Sequence, residues 1–144
     1  MSRQIQPIHI KGNDPKWNMP YTPAVKVKGG SFVFLSGVTA APVYHSHPHI
    51  ADEFVNIPID AGRQAAIAME NLKSVLAAAG GDLTDIVQLF RFMVDQDRNQ
   101  DAINRVMAGY FGEYRATTTS VEVVRLATDP RLVLELAAVA VVAD

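Results

Sequence analysis

The chain has 144 residues, of which 49% are hydrophobic and none is cysteine, and its formal net charge is −2. This length and apolar content are typical of one domain, residues 1–144, with an ordinary packed core. The lack of cysteine excludes disulfides and thiolate chemistry and favours a reducing compartment, the cytoplasm. The charge supplies no general attraction for nucleic acid, and the longest apolar run, 136–143, is too short to span a membrane.

The first part of the chain is predicted to hold one β-hairpin between irregular segments. Residues 1–20 are rich in turn chemistry and are predicted to be irregular. Residues 24–28 alternate apolar residues with Lys, and two glycines would turn this strand back into a second one over 31–37. Residues 39–58 contain three prolines and no sustained period, which is typical of a long surface connection.

Two helices with a strand between them follow in the sequence. After Asp60, which can cap a helix, apolar residues recur every three or four positions up to Gly80. Residues 86–94 are almost continuously apolar, as in a strand buried on both faces. A second amphipathic helix has its apolar stripe over 103–111 and a C-cap at Gly112.

The chain closes with two β-branched stretches, 117–126 and 132–142, which a turn would join as a hairpin. The whole order predicts an α+β fold with one sheet and both helices on one face. Because the last strand is apolar on both sides, the second face of the sheet also needs cover. Further copies of the chain would provide it, so we expect an oligomer.

Four segments carry a pattern of motifs that resembles the RidA/YjgF family. They are Met-Pro-Tyr-Thr-Pro-Ala-Val at 19–25, Phe-Leu-Ser-Gly at 34–37, Asn-Leu-Lys-Ser-Val-Leu at 71–76 and Ser-Val-Glu-Val-Val-Arg-Leu at 120–126. The resemblance runs from about Tyr21 to the C-terminus and is specific through order and spacing together. It implies a chorismate-mutase-like fold and a homotrimer whose sheets form a central barrel, with ligand clefts between subunits.

The same resemblance implies an activity. The best-known family members hydrolyse reactive enamines and imines, such as 2-aminoacrylate, to a keto acid and ammonia without a metal or organic cofactor. Because an iminium carbon is already electrophilic, the protein need only orient the substrate, place a water and help a proton reach nitrogen. The implied partner is therefore a small-molecule metabolite, and no cofactor is expected.

The sequence departs from the family at three chemically important positions. The family's carboxylate-binding arginine falls on Thr118, a position often held by cysteine falls on Ser120, and a water-activating glutamate falls on Ala137. Thr118 and Ser120 share one face of their strand by alternation and would give a pocket lined with hydroxyls. The usual anion clamp is missing, which implies an altered substrate choice.

Other polar residues match family positions that line or support the cleft, although each has an ordinary surface or structural interpretation as well. The predicted catalytic residues are Ser36, Thr118 and Ser120, and the predicted substrate-binding residues are Tyr21, Gly37, Asn104 and Arg115. Arg115 is included because it is the arginine nearest to the missing clamp. Arg91 interrupts an apolar strand, where an unpaired cation is costly, so it is another candidate to replace the clamp, although an interface ion pair or a snorkelling edge residue is the favoured interpretation.

Three of the four histidines, His45, His47 and His49, lie within five residues. In an extended segment they would project to one side, and imidazoles so spaced can chelate a divalent metal. Because Pro48 disturbs that geometry and the family is metal-free, the prediction is no metal site, with this triad as the alternative.

Two functions from different classes remain open. One is a cofactor-independent hydrolase of enamines or imines with altered specificity, and the other is a metabolite-binding protein without catalysis. Turnover would distinguish these two. A metal-assisted hydrolase that uses the histidines is a third hypothesis, which chelator sensitivity would test.

Overall fold

The computed structural model describes residues 2–144, which form an α+β fold as predicted. The elements are β1 (Gln4–Ile8), β2 (Ala24–Lys28), β3 (Ser31–Val38), α1 (Ala61–Ala78), β4 (Ile86–Met93), α2 (Gln96–Phe111), β5 (Thr117–Glu122) and β6 (Leu134–Val142). Single 3-10 turns lie at Ala51–Phe54 and Leu83–Asp85. Neither helix in this part of the chain is long and apolar enough to span a bilayer.

Both helices begin or end at the residues that the sequence indicated. The Asp60 side chain accepts a hydrogen bond of 2.7 Å from the backbone N–H of Arg63, which satisfies a donor that the first turn of α1 leaves free. Gly112 follows α2 with a φ of 59°, a conformation that side chains other than glycine rarely adopt. The two predicted amphipathic helices are confirmed.

The main sheet has the strand order β3-β6-β4-β5. The strand β6 runs antiparallel to β3 and β4, whereas β4 and β5 are parallel neighbours connected through α2. Side chains of α1 and α2 pack on one face of this sheet, against Leu89, Met93, Leu134 and Leu136. Both helices lie on one face of the main sheet as predicted, but β1 and β2 form a second, two-stranded sheet that the sequence did not predict.

Both predicted hairpins are wrong, although their turns exist. Gly29 and Gly30 have φ values of 72° and 79°, but β2 pairs with β1 and β3 pairs with β6. The strand β1 lies inside the segment 1–20 that was predicted to be irregular. The strands β5 and β6 are not neighbours, because β4 lies between them. Turn residues determine where a chain reverses, whereas burial of the apolar β6 in the sheet interior determines its neighbours.

The face of the sheet opposite the helices, called the open face below, is only partly covered in the single chain. On β3 the stacked rings of Phe32 and Phe34 are 63% and 78% exposed, and they pair with Val141 and Val139 of β6. Exposed aromatic rings next to each other on a sheet often mark a surface that contacts another protein. The expectation that further copies of the chain cover it remains a prediction.

Candidate functional site

A cleft of about 500 Å³ lies between α2 and the neighbouring strands β4 and β5. Because β5 is the edge strand of the sheet, its helix-facing side is only half-covered and stays accessible. The lining residues are Asn18, Pro20, Tyr21, Leu89, Arg91, Asn104, Met107, Ala108, Phe111, Tyr114, Arg115, Ala116, Thr118 and Ser120. The walls are mostly apolar, with a small group of polar side chains among them, which is the usual composition of a small-molecule site.

Strand register determines which polar groups meet in the cleft. In the parallel pair, Leu89 lies beside Thr118 and Arg91 lies beside Ser120. Neighbouring residues in register point to the same side of a sheet, so all four side chains face α2. The structure thus places both predicted hydroxyl groups in one cleft together with a cation from β4.

The Arg91 guanidinium is the central polar group of the cleft. Its Nε donates to Ser120 Oγ at 2.9 Å, and its Nη1 donates to Asn104 Oδ1 at 2.6 Å and lies 3.6 Å from Met107 Sδ. The second terminal nitrogen, Nη2, makes no hydrogen bond with any residue from 2 to 144. Two N–H groups of a rigidly held fork are therefore free for a ligand.

The Arg91 charge also lacks a counter-ion within residues 2–144, where every ion pair involves other side chains. Burial in the cleft lowers the pKa of Arg91 from its usual value, which shows that the charge is partly removed from water. A half-buried cation without a partner is unfavourable unless a ligand supplies the opposite charge. The cleft is therefore suited to a small anion.

Sequence reasoning left Arg91 out of the predicted site. The edge interpretation is wrong, because β4 lies between β6 and β5. The interface ion pair needs a second chain and remains a prediction. The signal was present in the sequence, because a cation inside an apolar strand needs a compensating group. What the sequence lacked was the register that directs this side chain toward α2.

Arg115, which was predicted to bind substrate, lines the cleft and also supports its rim; the binding role remains a prediction. Its Nε donates to Met19 O at 3.1 Å, and its Nη1 donates to Gly112 O at 2.6 Å and to Tyr114 O at 3.1 Å. The Thr22 hydroxyl in turn donates to Arg115 O at 2.6 Å. These bonds attach residues 19–22 to the start of β5, and this holds the ring of Tyr21 at the rim of the cleft.

Ser36 and Gly37 do not reach the cleft in the single chain. They lie on β3, at the opposite edge of the sheet from β5. A Cβ atom at Gly37 would lie 2.5 Å from Glu135 Oε1, so glycine is needed for the close approach of this carboxylate. Ala137 pairs with Phe90 on the open face. The predicted roles of Ser36 and Gly37 remain predictions that need a second chain.

Glu135 is a further acidic group that the sequence analysis did not select. It precedes Ala137 by two residues, so both side chains point to the open face of β6. Burial raises the pKa of Glu135 above its usual value. A carboxylate with a raised pKa is a better proton acceptor than an ordinary one when it is ionised.

Comparison with known proteins places this architecture in a family. The family model described as Endoribonuclease L-PSP matches residues 11–142. A RutC family protein of Pyrococcus horikoshii is 33% identical over 129 residues, 89% of this chain and 91% of that protein. The 3-aminoacrylate deaminase RutC of Acinetobacter baylyi is 32% identical over 121 residues, 84% of this chain and 86% of that protein.

A solved structure agrees with these matches. The crystal structure of E. coli TdcF with bound serine has a TM-score of 0.65 and 30% sequence identity, covering 96% of this chain and 94% of that one. The fold and these matches thus define a small α+β protein of the Rid type, a class with deaminases among its relatives. The chain belongs to the Endoribonuclease L-PSP family, the RidA/YjgF family that its motifs resemble.

Proposed function

We propose that this protein is a cofactor-independent hydrolase that converts a small enamine or imine into a carbonyl compound and ammonia. We further propose that its substrate carries a carboxylate, which Arg91 binds. The observation that carries this proposal is the unpaired Arg91 guanidinium in a cleft with apolar walls. Two relatives support it, since both the 3-aminoacrylate of RutC and the serine bound to TdcF bear a carboxylate.

The position of the cation implies the altered specificity. By resemblance the family's arginine would occupy Thr118 on β5, whereas this chain has its cation on β4, beside Ser120. Adjacent strands are about 4.8 Å apart, so the bound carboxylate moves by several ångströms toward the sheet interior. Leu89, Met107 and Phe111 line the space around it, which favours a substrate with an apolar side chain.

The proposed reaction is a simple hydrolysis. An enamine first tautomerises to the imine. Water adds to the imine carbon while one proton moves to the nitrogen, which gives a carbinolamine. The carbinolamine hydroxyl then passes its proton to the nitrogen as the C–N bond breaks, which leaves the carbonyl compound and ammonia. Arg91 holds the carboxylate so that the imine carbon lies near the polar end of the cleft. Glu135, with its raised pKa, is the group that we assign to accept the proton of the attacking water.

This assignment requires an oligomer, which we propose to be a homotrimer. Within one chain Glu135 and Gly37 lie on the opposite side of the sheet from Arg91. A neighbouring subunit whose edge strand β3 lay against the edge strand β5 of this chain would bring its own Ser36, Gly37 and Glu135 toward the cleft. The exposed rings of Phe32 and Phe34 supply the apolar surface for that contact.

The test is ammonia release from imines generated in place. An amino-acid oxidase supplies imines that carry a carboxylate, with apolar or polar side chains, and an amine oxidase supplies imines of the same side chains without one. We expect faster ammonia release only for the first group, most for apolar side chains, and without inhibition by a chelator. Equal release with and without the protein for every carboxylate-bearing imine would overturn the proposal.

A second candidate, a metabolite-binding protein without catalysis, is favoured by one observation. Ala137 stands where the resemblance places a water-activating glutamate, and it carries no group that could move a proton. Calorimetric titration with a stable hydroxy acid or amino acid would detect binding in the same cleft. Binding of such a ligand without turnover of any imine would make this second candidate the function.

A further inference from the structure

The connection between β3 and α1 brings three imidazole rings together outside the cleft. Ring centroids are 4.7 Å apart for His45 and His47, 5.1 Å for His45 and His49, and 5.0 Å for His47 and His49. One ring nitrogen from each histidine lies within 4.8 Å of the other two. Across residues 2–144 this is the one group of three or more His, Asp or Glu side chains that converges so closely.

One ring of this cluster has its free nitrogen defined by a hydrogen bond. His45 Nδ1 lies 2.9 Å from Pro42 O. Because a carbonyl oxygen only accepts, Nδ1 must carry the proton, and the lone pair of His45 is then on Nε2. A backbone carbonyl that orients an imidazole in this way is a common partner of histidines that bind metals.

The cluster is attached to a rigid part of the protein. The ring of Phe54 lies 5.1 Å from His45 and 5.0 Å from His49 between ring centroids, and it is buried in a small second core with Ile57 and Leu132. The Asn71 side chain donates to Thr39 O and Ala41 O at 2.9 and 3.1 Å, which joins the connection to α1. Most of the segment predicted to be a surface connection is exposed, but its base is fixed.

A carboxylate next to the cluster adds negative charge. The backbone N–H and the hydroxyl of Ser46 donate to the two Glu53 oxygens at 2.9 and 3.0 Å. The hydrogen bond from the Ser46 backbone is the main reason why the pKa of Glu53 lies below its usual value, so the carboxylate is ionised. These two hydrogen bonds hold Glu53 against the turn between His45 and His47, and its carboxylate is not part of the converging group.

We propose that His45, His47 and His49 form a binding site for one Zn²⁺ ion per chain. Zinc accepts neutral imidazole nitrogens at 2.0–2.1 Å in tetrahedral geometry, which places the nitrogens roughly 3.3 Å apart. Metal binding therefore requires the side chains to rotate, so that nitrogens now within 4.8 Å of one another come closer. Magnesium and calcium prefer oxygen ligands, and they do not match a set of three nitrogens. Three protein ligands leave the fourth position for water or an external group.

The test is zinc titration of the untagged protein after treatment with a chelator. We expect one Zn²⁺ per chain by calorimetry and by metal analysis after dialysis, together with a higher unfolding temperature. Single His45→Gln, His47→Gln and His49→Gln variants should bind at least tenfold more weakly, since loss of an outer-shell partner alone costs that much. The triple variant should show neither the binding nor the thermal shift.

The fourth histidine provides a matched control. His9 lies outside the cluster, and H9Q removes one imidazole without touching the connection. This variant and R91M, which alters only the cleft, should bind zinc like the wild type. The proposal is overturned if the wild type binds no zinc, if the triple variant binds it equally well, or if H9Q weakens binding as much as the cluster variants.

Discussion

The Arg91→Met variant tests the anion-binding role of the cleft most directly. Methionine keeps an unbranched side chain but removes the charge and the hydrogen bonds of 2.9 Å to Ser120 and 2.6 Å to Asn104. Both partners are exposed and can bond to water instead, and the cost of holding a half-buried cation disappears. We therefore expect the free energy of unfolding to change by only about 1 kcal/mol.

The effect on activity should be much larger than the effect on stability. A hydrogen bond between charged groups contributes about 1.5–3 kcal/mol. Since about 1.4 kcal/mol corresponds to a tenfold change in rate, kcat/KM for a carboxylate-bearing imine should fall roughly 10- to 150-fold. Arg91→Lys keeps the charge without the planar fork and should lie between wild type and R91M. The assay is ammonia release at substrate concentrations below KM.

Two comparisons separate anion binding from a general disturbance of the fold. Arg105 lies on the exposed side of α2 and outside the cleft, so R105Q removes an equal charge and should keep kcat/KM within about twofold. For an imine without a carboxylate, any residual activity should be the same in R91M and wild type. The reasoning fails if R91M keeps full activity on carboxylate-bearing imines, or if it loses equal activity on both kinds of substrate.

Three further predictions concern the core, the open face and a carboxylate. Leu72→Ala, at a fully buried position of α1, should lower the free energy of unfolding, measured by urea denaturation, by about 2–5 kcal/mol. The control variant V55A, at an exposed site, should change this free energy by less than about 0.5 kcal/mol. Phe34→Glu should convert the proposed trimer into monomers, as measured by analytical sedimentation. The control variant Y44E, at a residue that is 93% exposed, should leave the trimer intact. Unchanged sedimentation of F34E would count against the open-face contact. Because burial raises the pKa of Glu135, its negative charge destabilises the fold above that pKa, and protonation relieves this cost as the pH falls. The E135Q variant should therefore have a higher unfolding temperature than the wild type at a pH of about 8 but not at a pH of about 4. An equal increase at both pH values would contradict this reasoning.

The histidine cluster shows how a sequence pattern can be correct in its residues and incomplete in its geometry. Strand-like alternation suggested that His45, His47 and His49 project to one side, while Pro48 argued against it. The structure brings the rings together by other means, through Phe54 and the bonds between Ser46 and Glu53. Neither contact has a signature in the local sequence.

Local signals were sufficient for the elements themselves. The period of the two helices, the cap at Asp60 and the glycine at Gly112 depend on residues within about one turn of each other, so they can be recognised in the sequence. The motifs from Tyr21 onward were also sufficient to recognise the family, because their order and spacing can be read directly from the sequence. The apolar character of both faces of the last strand indicated a second packing surface.

Tertiary structure alone decided which strands are neighbours and which arginine enters the cleft. The pairing of β6 with β3 and β4, and the parallel pairing of β4 with β5, join segments far apart in the chain. These pairings minimise exposed apolar surface over the whole domain, which no short segment encodes. Because β4 and β5 are in register, Arg91 meets Ser120 and Asn104, whereas Arg115, closer in sequence to Thr118, is held by backbone carbonyls.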